Sequence, residues 1–238
     1  MTALLEICVA DAHSLEAAIE GGADRIELCS ALELGGLTPS SGLMRLAAQA
    51  PIPVYAMIRP RAGDFVFSAR ESEIMLDDIE AAGGAGLAGV VLGASQPGGQ
   101  LDEALLSRLR VQAQGLGTTL HRAFDLVPEP LAALETAVAL GFERILTSGG
   151  AVTAPEGLEA LVRLHRAARG RIGIMPGSGL TPANIAPLLA ALPVSEVHSS
   201  CSAAGEPWSA EAVRLGFAVG RRCQTSADIV CTFRKAMA

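Results

Sequence analysis

Short apolar runs alternate along this chain with longer amphipathic stretches, at a nearly even pitch. The first run, LLEICVA, spans Leu4 to Ala10 and precedes a helical pattern from about Ser14 to Gly21. DRIELCS then precedes SGLMRLAAQA, and PVYAMIRP precedes a helix from about Ala69 to Ala82. The same alternation pairs AGVVLGA with LDEALLSRLRVQAQGLG, TTLHRAFD with PEPLAALETAVALG, and ERILTSGG with PEGLEALVRLHRAARG. It ends with RIGIMPGSG before TPANIAPLLAAL, and SEVHSSCS before WSAEAVRLGFAVGRR. Short apolar runs bounded by turn residues predict strands, and the longer stretches with helical spacing predict helices. Gly21, Gly83, Gly117, Gly141 and Gly170 stand where helices should stop, and Pro128, Pro155 and Pro182 near where they should start.

Eight strand–helix units with no linker between them predict one domain, a single α/β (β/α)8 TIM-like barrel. A doubly wound open sheet is the alternative. It should carry a glycine-rich dinucleotide fingerprint after an early strand, and none is present. The barrel is expected over about residues 4–222, with a short C-terminal extension over 223–238. In that extension Ile229, Val230 and Phe233 suit either a subunit contact or a cover for the barrel bottom.

In a closed barrel each strand turns alternate side chains toward the helices and toward the interior. In RIELCS, apolar Ile26 and Leu28 belong against helices, so Glu27 and Cys29 point inward. The same parity sends Glu6, Cys8, Tyr55, Met57, Arg59, Thr119, His121, Asp125, His198 and Met175 inward. A barrel interior that serves only stability is filled with branched aliphatics. Burying unpaired ionisable groups costs several kcal/mol each. This interior therefore predicts a site, with His121, Asp125, Arg59 and Glu27 as candidate catalytic groups. The structural alternative is an ion-pair network of Glu6, Glu27 and Arg59 that fixes the barrel, with Met57 and Met175 as filler.

Composition narrows the partners. Of 238 residues, half are hydrophobic and 18% charged, which predicts an ordered core rather than a disordered chain. A formal charge of −7 argues against nucleic acid. No apolar run approaches the roughly 20 residues of a membrane span. The start, MTALLEICVAD, lacks the basic segment of a secretory leader. The cysteines, Cys8, Cys29, Cys201, Cys223 and Cys231, are odd in number and irregular in spacing, with no CxxC pair. Free thiols in a reducing cytoplasm are expected.

Seven motifs, ADRIELCS, GGLTPS, MIRPRAGDF, LHRAFD, RILTSGG, IMPGSG and EVHSS, occur in order from about Leu5 to Ser200. Together they resemble the CutC family, assigned to copper homeostasis. Three details depart from that pattern. SALELGG follows Cys29 where the family more often has an Asn and an acidic residue. VLGA replaces a Phe-containing version. HSSCSA stands where the family usually reads His-Gly-Ser-Ala, which alters the rim after the last strand. The resemblance implies a cytosolic TIM-like barrel, often a homo-oligomer, with a role in copper tolerance or trafficking.

Three readings stay open at this point. The first is copper binding. Cu(I) prefers thiolate, thioether and imidazole donors. Cys29, His121 and His198, with Met57 nearby, are the candidate ligands. The second is an enzyme for a small polar or phosphorylated molecule. In PGSGLTPAN, Gly177, Ser178 and Gly179 precede a helix whose first turn is expected to include Thr181 and Pro182, an anion-binding arrangement to which Ser148 of TSGG adds. His121 or Asp125 is then the base, and Arg59 steadies negative charge. The third is a non-catalytic interaction protein. The interior chemistry favours the enzyme, and the family resemblance favours copper homeostasis. The expected partner is a copper ion or a small anion.

Overall fold

The computed structural model describes residues 3–218 and 223–237. The predicted units are present as β1 (Leu4–Val9), α1 (Ala12–Glu20), β2 (Arg25–Leu28), α2 (Ser41–Ala47), β3 (Val54–Met57) and α3 (Ala69–Gly84). They continue as β4 (Gly89–Leu92), α4 (Glu103–Gln112), β5 (Gly117–Leu120), α5 (Pro130–Ala139), β6 (Arg144–Thr147) and α6 (Leu158–Ala168). The series ends with β7 (Gly173–Pro176), α7 (Ile185–Ala191) and β8 (Glu196–Ser199). The eight strands are parallel, in the order β7-β6-β5-β4-β3-β2-β1-β8. β7 and β8 then lie side by side without a ladder, so the sheet is a nearly closed (β/α)8 barrel.

The helix starts follow local chemistry. Asp11, Ser40, Ser68 and Asp102 each accept a backbone N–H of the first turn, and Ser68 with Glu71 forms a full capping box. The strands divide by parity as expected. Leu5, Ile7, Val9, Ile26, Leu28, Val90, Leu92, Ile145 and Val197 join the large core between sheet and helices. Cys29, Tyr55, Met57 and Val91 form a separate cluster inside the barrel.

The eighth helix differs from the sequence expectation. Of the stretch from Trp208 to Arg222, only Ala210–Arg214 is helical (α8), and none of its residues is buried; residues 219–222 lie outside the described part. The place beside α7 and α1 belongs to α9 (Ala227–Ala236), in the segment expected to be an extension. The reason is apolar spacing. Val230, Phe233 and Met237 form one buried stripe, whereas Val213, Leu215 and Phe217 are exposed. Gly21 ends α1 where an added Cβ would fall 2.4 Å from Val230 Cβ, so α9 docks against a spot that only glycine leaves open. Val230 and Phe233 are therefore core residues of their own chain, neither a subunit contact nor a cover for the bottom. Between β8 and α9 the chain forms a small antiparallel ribbon, β9 (Ser202–Ala204) with β10 (Cys223–Thr225), near the barrel mouth.

Candidate functional site

The parallel register sets which inward side chains meet. Glu6 pairs in register with Arg25 on one side and His198 on the other, and Cys8 pairs with Glu27. At the lower layer, Glu6 is fully buried and accepts from Arg25 Nε and from the His198 ring through Nδ1, at 2.8 Å in the second case. Arg25 also reaches Glu196 at 2.5 Å, and Glu196 takes Arg144 Nε at 2.8 Å. The Tyr55 ring lies 5.2 Å from each of the Arg25 and Arg144 guanidiniums, with its hydroxyl on Glu143. An ion network does brace this barrel: Arg25 and Arg144 share Glu196, Arg144 also meets Glu143, and His198 links Glu6 to Glu27. Of the expected members, Glu6 and Glu27 belong to it, and Arg59 makes no ion pair among the described residues.

Burial alone would raise Glu6, but Arg25 and His198 outweigh it and hold the carboxyl at about 2. Burial works against the His198 charge as well, yet Glu27, Cys8 and Glu6 hold its pKa well above the ordinary histidine value. Glu27 is pushed up by burial, with Glu6 adding to the push against the pull of His198. Burial and the nearby Glu27 push the Cys29 thiol far up, so it stays protonated and donates to Glu27 Oε2 at 3.6 Å.

Above this layer opens a cavity of about 590 Å3, lined among others by Cys8, Glu27, Met57, Arg59, His121 and His198. Cys8, Glu27 and His198 each offer a donor atom, and the three atoms lie within 4.8 Å of one another. The expected ligand set was Cys29, His121 and His198. Of these, only His198 belongs to this group. Cys29 is fully buried, with its thiol on Glu27 and the Gly36 backbone close against it, and His121 stands apart in company with Arg59. Cys8 carried the same inward parity as Glu6 but no motif of its own. Its partnership with Glu27 comes from the β1–β2 register.

His121 follows β5, its N–H on the Leu92 carbonyl. Its Nδ1 accepts the Ala123 N–H at 3.1 Å, which puts the ring proton on Nε2. Burial and the Arg59 charge push its pKa down to about 3, so the ring is neutral. Arg59 extends from the end of β3 and gives Nη1 to the carbonyls of Leu34 and Gly36 and Nη2 to that of Gly63.

Asp125 is not in the cavity lining. The alternation that sent it inward stops at Leu120, because residues Arg122–Leu126 form a 3-10 turn. There Asp125 accepts from Thr147 Oγ1, Ser148 N, Gly150 N and Arg122 Nε, tying down the loop after β6. Ser148 is buried in that tie, donating to Ala151 O at 2.5 Å. The Gly177–Gly179 loop also differs from expectation. α7 begins at Ile185 rather than at Thr181 or Pro182, because Asn184 Oδ1 takes the Thr181 N–H and its Nδ2 reaches Gly179 O. Ser178 and Gly179 line the cavity, but Ser178 Oγ donates to Val152 O. Gly179 is a turn glycine, at φ 69° and with Thr153 Cγ2 2.6 Å from where a Cβ would lie.

A family model described as the CutC family matches residues 3–203. The chain belongs to the CutC family. Its relative in Sinorhizobium medicae, a CutC family protein, is 59% identical over 231 residues, covering 97% of this chain and 94% of the other. A CutC family protein of Agrobacterium fabrum is 55% identical over 229 residues, 95% of this chain and 91% of that one. A crystal structure described as the putative copper homeostasis protein CutC from Streptococcus agalactiae superposes with a TM-score of 0.80 at 33% identity, covering 84% of this chain and 99% of the other. No helix among the described residues is long and apolar enough to cross a membrane.

Proposed function

We propose that this CutC chain serves copper homeostasis by holding a copper ion as cargo on Cys8, Glu27 and His198. The supporting observation is the gathering of a thiol, a carboxyl and an imidazole within 4.8 Å at the cavity floor. Copper suits thiolate and imidazole donors and heads the divalent affinity order. Glu6 already engages His198 Nδ1, which leaves Nε2 toward Glu27, 3.8 Å away. A carboxylate behind a metal-binding imidazole fixes the ring and raises its basicity. The open side toward the cavity suits loading and release. The proposed setting is the reducing cytoplasm, where the cysteines, all unpaired among the described residues, stay reduced. A homo-oligomer is part of the same reading, with exposed Val213, Leu215 and Phe217 as candidate contacts, and light scattering reads it directly.

The test is competition of the reduced protein against a copper chelator. One ion per chain is expected, with Cys8→Ser and His198→Ala each weakening binding about tenfold or more. Cys223→Ser, at an exposed position on β10, should leave it unchanged. Equal losses at every cysteine would mean adventitious thiol binding and would end the proposal.

A second reading, an enzyme for a small polar molecule, draws on Arg59, His121 and Glu27. Each has a buried polar atom without a partner among the described residues: Arg59 Nε, His121 Nε2 and Glu27 Oε1. Turnover that disappears in His121→Gln while copper binding persists would support it over the first.

A further inference from the structure

Buried donors and acceptors in folded proteins are almost always paired. The cavity departs from that rule at three atoms. Arg59 Nε and His121 Nε2, from residues just past the ends of β3 and β5, and Glu27 Oε1, from within β2, are all buried and without partners among the described residues. Arg59 is 5% exposed and His121 3%. Among the described residues the Arg59 guanidinium donates to neutral carbonyls alone, at 2.8 to 3.0 Å, so its buried charge has hydrogen bonds but no counter-charge there. The Phe65 ring sits 4.9 Å from the Arg59 guanidinium and 4.7 Å from the His121 ring, holding the two together. Gly93 is part of the same construction. A Cβ there would lie 2.5 Å from the His121 ring, so only glycine lets the imidazole adopt this position.

We propose that the barrel mouth binds a small hydroxy- or amino-carboxylate, its carboxylate on Arg59 Nε and His121 Nε2 and its hydroxyl or amine toward Glu27 Oε1. The charge count selects a carboxylate over a phosphate. The ring proton on Nε2 makes His121 a neutral donor, and Arg122, which also lines the cavity, is paired with Asp125, so Arg59 is the one cation at this end without a counter-charge among the described residues. A phosphate dianion would exceed that charge, with the Glu27 carboxyl lining the same cavity. Arg is suited to planar carboxylates. The cavity volume, about 590 Å3, is in the range that takes a metabolite rather than an inorganic ion. The site refines the second reading above and does not depend on copper.

The experiment uses the full chain with EDTA present, so that failure of the copper reading does not affect it. Lactate, glycerate, malate and serine are titrated singly by thermal shift, with lactamide as the uncharged control. In parallel, the His121 Nε2–H resonance is followed by 15N NMR. At least one acid should stabilise the protein saturably and move the His121 signal with the same midpoint, while lactamide does neither. Arg59→Gln should raise that midpoint about tenfold or more, and Arg59→Lys less. Arg59 also ties three loop carbonyls, so if Arg59→Gln does not fold, the His121 signal of the wild type decides alone. The proposal is overturned if no acid saturates, if His121 does not respond, or if folded Arg59→Gln titrates with the wild-type midpoint.

Discussion

Glu6→Gln removes one charge from the driest point of the barrel while keeping the side-chain shape. Glu6 is fully buried, and its oxygens serve Arg25 and His198. In the variant one oxygen still accepts, but the amide NH2 meets a second donor. Two routes give the magnitude. Removing one partner of a buried ion pair costs about 3–5 kcal/mol. Independently, the Glu6 carboxyl lies at about 2 against an ordinary 4.5, a difference equivalent to about 3 kcal/mol. Arg25 keeps Glu196, so the lower figure is expected. Because the folded value lies below the unfolded one, this stability is present in full above pH 4.5 and disappears as pH falls toward 2. Urea melts of wild type and variant should therefore differ by about 3 kcal/mol at pH 7, with the gap narrowing on acidification below about pH 4.5. A gap under about 1 kcal/mol at pH 7, or one that stays constant down to the lowest pH at which both fold, would refute the assignment of Glu6 as the charged centre of the brace.

Copper binding should weaken on acidification, beginning above the ordinary histidine value of 6.5, because the ion must displace the proton that Glu27, Cys8 and Glu6 favour on His198; a pH-independent chelator competition would remove His198 from the ligand set. Gly117→Ala should destabilise by about 1–3 kcal/mol in denaturant melts, since its Cβ would fall 2.0 Å from the Tyr55 hydroxyl, and Tyr55 is held by two guanidiniums at its ring and by Glu143 at its hydroxyl. Asp125→Ala should cost about 3 kcal/mol and speed hydrogen exchange at Ser148 and Gly150, without changing copper stoichiometry; unchanged exchange would contradict its role as the loop's tie.

The sequence by itself determined the eight strands, the seven helices that follow the first seven of them, and the faces of the strands. Alternation is a property of one extended chain, so Glu27 and Cys29 could be assigned inward beside Ile26 and Leu28 without knowledge of any neighbour. The same rule failed at Asp125, where the chain leaves the extended state after Leu120. It could not say which helix would occupy the eighth place, because α8 and α9 both carry apolar residues and only docking against α1 selects Val230 and Phe233. Register was also beyond it. Each parallel strand can slide by two residues and keep its faces, so which inward groups meet depends on closure of the whole sheet. That closure brings Cys8 to Glu27 and Glu6 between Arg25 and His198, while the Arg59 guanidinium hydrogen-bonds to loop carbonyls instead of to either carboxylate among the described residues. The inventory of ionisable groups in the barrel was legible along the chain. Their division into an ion-paired brace, a donor triad and an unpaired Arg59–His121 end is a long-range property, set by contacts between strands far apart in sequence.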